Sequence, residues 1–394
     1  MKQKLLFVMS NLHCGGAEKS LISLLQGLDY SQYEVDLFLF KHDGLFFSRV
    51  PEQVHILPEP EFYKHYDMSA VAAVKDSLMK RKPGLAIRRI RAGLIFRKES
   101  HPAIREQRVW RYLSKALPRL SKRYDAAIGF MEKSPVYYVI ENTNATTKIG
   151  FIHNDYDKLG MDPSFDEIYF RRLDYLVTVS DECGMVLKKR FPDLSSKVQV
   201  IHNIVSPELI HKMSFEEAVW SRSGGIKLLT IGRLTYQKGF EMAIEACRRL
   251  VAEGYDIRWY VIGEGEERNN LEKRIAEYSL EANFILLGLK ENPYPYLKEA
   301  DIYVQPSRFE GKSIAIDEAK IMCKPIIVTD FSTAKDQIRG EYNGLIVDMN
   351  DEALFQGIRR LIDYRELGDI FALNLSKEDL NTESEIEKMY QLVQ

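Results

Sequence analysis

The chain has little cysteine and no cysteine pattern. Cys14, Cys183, Cys247 and Cys323 are scattered over 394 residues. They form no CxxC pair and no zinc-ligand spacing, which excludes a disulfide scaffold or a zinc module and predicts reduced thiols in a cytoplasmic protein. Long apolar runs are missing too, and nothing approaches the roughly 18 apolar residues of a membrane span. The first run, Leu5-Leu6-Phe7-Val8-Met9, has no small-residue cleavage site behind it. It reads as a strand, not a signal peptide. Net charge is nearly absent: 55 Lys and Arg against 57 Asp and Glu leave −2, so the whole molecule is not a polycation for nucleic acid. Low-complexity tracts, short repeats, acid-rich metal motifs and a GxGxxG fingerprint are all lacking.

What is present is an ordinary globular composition, with 45% hydrophobic and 28% charged residues, in a chain too long for one core. Short apolar runs alternate with helical patterns. One series contains Leu5–Met9, Val35–Phe40, Ala126–Phe130, Lys148–Ile152, Tyr175–Val179 and Val198–Ile201. A second contains Ile226–Ile231, Trp259–Ile262, Phe284–Leu287, Ile302–Val304 and Ile326–Val328. Such alternation predicts two α/β domains, each a parallel sheet covered on both faces. The polar stretch 206–225 between them reads as a hinge, and the end of the chain as a helix returning across it. Ligands of such sheets bind beyond the carboxyl ends of the strands, and the motifs below all follow strands.

Gly15-Gly16 follows the first strand and opens a helix. It is either a tight turn or a place where an anionic ligand nears the backbone. Gly232-Arg233-Leu234-Thr235-Tyr236-Gln237-Lys238-Gly239 carries two cations five apart on a loop entering a helix. A guanidinium fork, an ammonium and a helix N-terminus aimed at one spot suit a pyrophosphate; two surface cations on a solvated loop are the plain alternative. Gly263-Glu264-Gly265 is a strand-to-helix turn that can wall a nucleotide pocket. His153 lies at a strand end with Asp155 two residues on. It can be structural, contact a ligand, or act as a base. Ser180 and Asn203 read as cap or turn residues. Glu310 sits in a loop and Glu318 one to two turns inside the following helix, so one extended polar ligand can meet both. A loop carboxylate and an exposed helical one are the alternative.

Together these segments resemble glycosyltransferase family 4, the retaining GT-B glycosyltransferases. Within it they resemble bacterial capsule and exopolysaccharide transferases. The resemblance runs over nearly the whole chain. It implies a GT-B fold of two Rossmann-like domains facing a cleft: an acceptor-side domain at 1–205, a linker at 206–225, a nucleotide-sugar domain at 226–375 and a crossover helix in 376–394. It further implies transfer of a sugar, hexose included, from a nucleotide-sugar donor (UDP-sugar favoured) to a glycan or lipid-linked acceptor. Arg233 and Lys238 would hold the donor pyrophosphate, with the amides near Ser313 and Ile314. Glu318 would bind the ribose and Gly263 wall the nucleotide. Glu310 and His153 would flank the transferred sugar near Gly15 and Gly16. No metal and no cofactor are expected. Where the family usually has an aromatic or small residue and then glycine after Glu310-Gly311, this chain has Lys312-Ser313-Ile314-Ala315. A non-catalytic GT-B subunit binding a partner transferase or glycan is the alternative from another class; a GT-B epimerase or phosphorylase fits the motif set less well.

From Lys75 to Arg123, sixteen Lys and Arg face three acids, Asp76, Glu99 and Glu106, with Leu, Ile, Phe and Trp interleaved. The stretch reads as a surface for anionic lipid headgroups, hence as peripheral attachment at the inner face of a plasma membrane, or as a pair of solvated helices. The balanced overall charge and the lack of a motif argue against nucleic acid.

Overall fold

The computed structural model describes residues 2–13, 15–220 and 224–394; Cys14, and Ser223 of the expected hinge, lie outside them. The chain divides into two units. Among the described residues, one holds 2–13, Ala17–His202 and Glu385–Gln394; the other holds Gly15, Gly16 and Asn203–Ser384.

In the first unit the strands are β1 (Gln3–Met9), β2 (Tyr33–Leu39), β3 (His55–Ile56), β4 (Arg123–Gly129), β5 (Asn144–Ile152), β6 (Tyr175–Thr178) and β7 (Val198–Val200). They pair in the order β3-β2-β1-β4-β5-β6-β7, all parallel. The second unit has β8 (Ile226–Ile231), β9 (Ile257–Ile262), β10 (Phe284–Gly288), β11 (Ile302–Gln305), β12 (Ile326–Thr329) and β13 (Leu345–Val347). Their order is β10-β9-β8-β11-β12-β13, again parallel. Both are doubly wound, with the order reversing between β1 and β4 and between β8 and β11.

Parallel strands need crossovers, and the crossovers bring helices onto both faces. In the second unit the side chains divide by the two-residue period. Leu228, Trp259, Val261, Val304 and Ile327 join one buried cluster. Leu229, Tyr260, Ile262, Tyr303 and Val328 join the other. The edge strands β3 and β13, of two and three residues, have no counterpart among the apolar runs read from the sequence.

The helices between the strands of the first sheet are α1 (Gly16–Gly27), α2 (Ala70–Met79), α3 (Pro83–Lys98), α4 (Pro102–Leu113), α5 (Ser134–Asn142), α6 (Pro163–Phe170) and α7 (Asp181–Arg190). The basic stretch thus falls on three helices, not two. Ser69 caps α2 through the Ala72 amide, and Pro83 and Pro102 each open a new helix at its first position. Ser180 is a cap as expected, accepting from the Cys183 amide at the start of α7.

In the second unit come α8 (Pro207–Met213), α9 (Phe240–Ala252), α10 (Arg268–Glu277), α11 (Tyr294–Glu299) and α12 (Ile314–Ile321). The stretch expected as a linker therefore contains a helix. Ile210 of α8 packs with Val205, Tyr294, Ile314 and Ile321, and Met213 of the same helix packs against them, apolar contacts that polar composition conceals. The last helix, Ile386–Val393, belongs to the first unit. It buries Ile386, Met389 and Val393, and Tyr390 stacks on Tyr33 while its hydroxyl accepts the Asp29 amide at 2.9 Å.

Two glycines bring the strand-end loops of the second unit together. A Cβ on Gly263 would lie 1.9 Å from the Gly232 carbonyl oxygen, and one on Gly239, at φ +64°, would lie 2.1 Å from that of Pro306. At Gly84 of α3 a Cβ would meet nothing within 4 Å. Gly263→Ala is therefore expected to lower stability by more than about 1 kcal/mol. Gly84→Ala should be neutral or stabilise by up to about 1 kcal/mol, since alanine is the better helix former. Thermal unfolding of the two variants checks this; equal melting temperatures would contradict the close approach.

Candidate functional site

The order reversal of the second sheet makes β8 and β11 neighbours, and the loops beyond them meet. The Arg308 amide donates to the Gln237 carbonyl at 2.7 Å, which sets the two loops side by side. Lys238, from the loop after β8, then reaches Glu310, from the loop after β11, with Nζ 2.5 Å from Oε1. The residues are 72 apart in sequence.

Glu310 is buried, at 5% exposure. An ionised carboxylate there needs partners. Oε1 accepts from Ser307 Oγ at 2.6 Å and Gln305 Nε2 at 3.1 Å as well as from Lys238. Oε2 has a 3.4 Å contact from Gln237 Nε2. One oxygen is thus saturated, while the other keeps acceptor capacity for a ligand hydroxyl. The loop is held from β12's side by Thr333, whose hydroxyl donates to the Glu310 carbonyl at 3.1 Å.

Glu318 lies on α12 and is buried, not an exposed helical carboxylate; Tyr294 donates its hydroxyl to Oε1 at 3.0 Å. At the start of α12 the Ser313 amide donates to Gln337 Oε1 at 2.9 Å, and Gln337 Nε2 donates to the Ser313 carbonyl at 2.8 Å. An anion at this helix start would have to displace Gln337 to use that amide. The Ile314 side chain is spent on packing against α8. Lys312 Nζ stands 3.9 Å from Asp317 Oδ2, too far for a hydrogen bond. Arg233 is exposed on the β8 loop. Gly263 brings the loop after β9 against that same β8 loop.

In the first unit His153 follows β5 and is also buried. Its Nε2 is 3.1 Å from the Phe130 carbonyl. A carbonyl only accepts, so Nε2 carries the proton and Nδ1 presents the lone pair. The ring lies against Phe130 and Phe151, and its amide donates to Glu132 Oε2 at 3.1 Å. Burial pushes its pKa below the usual 6.5, against the opposing pull of the Glu132 charge and the Phe130 carbonyl. The imidazole is therefore neutral at pH 7. Asp155, the acid beside it in sequence, caps the turn Tyr156–Lys158 by accepting the Asp157 amide at 3.0 Å. Gly16 opens α1, and a Cβ there would meet nothing within 4 Å. Packing does not require that glycine.

Sequence reasoning missed Gln337, Thr333, Tyr294 and Glu132. Each reaches its partner from another strand-end loop or helix, 21 to 24 residues away. Gln305, the last residue of β11, and Ser307, two residues on, belong to the Glu310 shell because they stand at that strand's end.

Residues 215–376 match the family model described as Glycosyl transferases group 1. The chain is 24% identical over 227 residues to the N-acetylgalactosamine-N,N'-diacetylbacillosaminyl-diphospho-undecaprenol 4-alpha-N-acetylgalactosaminyltransferase of Campylobacter jejuni, covering 57% of this chain and 60% of that protein. It is 29% identical over 147 residues to the amylovoran biosynthesis glycosyltransferase AmsD of Erwinia amylovora, covering 37% and 41%. The chain thus spans about half the length of the curated relatives it matches. Among solved structures, Anabaena Alr3699/HepE in complex with UDP is similar over 99% of both chains, with a TM-score of 0.65 at 15% identity. At that identity the likeness shows the fold alone: an α/β protein of the GT-B type.

Proposed function

We propose that this chain is a retaining glycosyltransferase, moving a sugar from a nucleotide-sugar, with UDP-sugar favoured, to a glycan or lipid-linked acceptor in cell-surface polysaccharide synthesis on the cytoplasmic side of a membrane. The observation that carries the reading is the contact of Lys238 with the buried Glu310 at the order reversal of the second sheet. The match to a glycosyltransferase family model over 215–376, and UDP bound in a protein of the same fold, support it. The named acceptor chemistry of the Campylobacter relative supports a lipid-linked acceptor.

In this reading Arg233 and Lys238 neutralise the donor pyrophosphate, and no metal is required for that. When the bond between the anomeric carbon and the phosphate oxygen breaks, its electron pair stays on the leaving phosphate. Cations already in place stabilise that charge. Positive charge grows at the anomeric carbon, where Glu310 provides a carboxylate and a hydroxyl acceptor at Oε2. The acceptor hydroxyl attacks from the same face and gives its proton to the departing phosphate oxygen, which retains configuration. Glu318 takes the ribose. Neutral His153 accepts a sugar hydroxyl at Nδ1.

Glu310→Gln, which keeps the size of the side chain, is expected to lower kcat at least about 100-fold. Arg233→Ala and Lys238→Ala should weaken donor binding and turnover, and Glu318→Ala should act mainly on nucleotide affinity. Steady-state kinetics with circular dichroism as a folding control decides. Near-wild-type turnover of Glu310→Gln would remove the carboxylate from the reacting centre.

A thermal-shift screen against UDP-, GDP-, ADP- and CMP-sugars should single out the UDP series. Ligand at 100 times its Kd adds about 2.7 kcal/mol to stability. A larger shift with another base would overturn the UDP assignment.

His153 gives a pH dependence. Its folded-state pKa lies below its unfolded value. Between the two the unfolded chain binds more protons, so stability is full above about pH 6.5 and declines as pH falls toward the folded pKa. His153→Gln should lack that part of the decline. Denaturant midpoints from pH 7.5 to 5 measure it, and parallel profiles for the two proteins would contradict a buried neutral imidazole.

A further inference from the structure

The sixteen cations between Lys75 and Arg123 are carried largely by α2, α3 and α4. Among the described residues only Lys80, Arg108 and Lys122 of the sixteen form ion pairs. Arg89 is buried and donates to the carbonyls of His65 and Met68. A solvated helical face usually pairs its cations with acids three or four positions away. Here three acids leave most cations without that option.

The same helices expose apolar surface. Ile87, Ile90 and Leu94 of α3 are 51%, 50% and 50% exposed. Spaced by three and four, they make one ridge. Beside the ridge lies a cavity of about 610 Å³, within the usual range for ligand sites. One wall is the adjoining stripe of α3: Arg91, Leu94, Ile95 and Lys98. The other is the stripe Arg108, Arg111 and Tyr112 of α4, and Phe165 of α6 completes the floor. Glu99 is the one carboxylate in the lining, and Arg108 holds it at 2.6 Å. An apolar floor under a rim of cations, continuous with an exposed apolar ridge through Leu94, matches an anionic headgroup with attached acyl chains. No helix among the described residues is long and apolar enough to cross a membrane, so such contact is lateral.

We propose that this groove and ridge form a membrane-docking site, which holds the phosphate headgroup of an anionic bilayer phospholipid among Arg91, Lys98 and Arg111 while Ile87, Ile90 and Leu94 enter the interface. The site deepens the lipid-acceptor reading above by placing the chain at the bilayer, and its test uses no turnover, so the two fail separately.

The test is co-sedimentation of the full chain with vesicles of phosphatidylcholine alone, of phosphatidylcholine and phosphatidylglycerol in equal parts, or of phosphatidylcholine with a polyprenyl diphosphate, at low and high salt. Binding is expected only to the anionic vesicles, falling several-fold at high salt as screening shortens. The double variant R91Q/R111Q should bind about 25-fold more weakly, about fivefold per cation near an anionic bilayer. The control K273Q/K377Q, with the same charge change in the second unit, should bind as the wild type does. Equal recovery with neutral vesicles, no recovery at low salt, or equal weakening by the control pair would overturn the site. So would binding only to vesicles that contain a polyprenyl diphosphate, which would give the groove to the acceptor lipid instead.

Discussion

A buried carboxylate cannot stay ionised without partners, and at Glu310 that requirement shapes the second unit's strand-end loops. Lys238, Ser307 and Gln305 all converge on one of its oxygens. The convergence needs the loops after β8 and β11 in contact, which the strand order allows and Gly239 permits by leaving room for the Pro306 carbonyl. Removing one partner of a buried pair typically costs several kcal/mol. Side-chain exposures of 15% for Lys238 and 6% for Glu310 put this pair between the buried and surface cases. The electrostatics therefore helps hold the two loops in this geometry.

The first unit uses burial for a different end. His153 is kept neutral by its apolar setting, and its tautomer follows from one carbonyl. On its basic helices the same unit leaves cations and apolar side chains in solvent together. Buried neutrality suits a hydroxyl contact; exposed charge next to exposed hydrocarbon suits a boundary between water and lipid.

Some of this was legible in the chain itself. The central strands announced themselves as apolar runs, because a parallel strand covered on both faces has no polar side to show. Arg233, Lys238, Glu310 and Glu318 stood out individually by following strands. Gln337 did not, since nothing near residue 337 marks it as the partner of Ser313. The α8 helix hid within a polar stretch behind Ile210 and Met213, and α2 was merged with its neighbour in a run read for charge.

Local order was thus settled by the sequence alone: strand and helix periods, the prolines that open α3 and α4, and the serine caps depend on residues a few positions apart. Which loops meet was decided by the tertiary structure. The Lys238–Glu310 contact joins residues 72 apart, and their approach depends on β8 lying beside β11, a matter of sheet order with no local code. The same holds for α3 and α4, whose cationic stripes are ordinary in isolation and line a groove only when packed side by side.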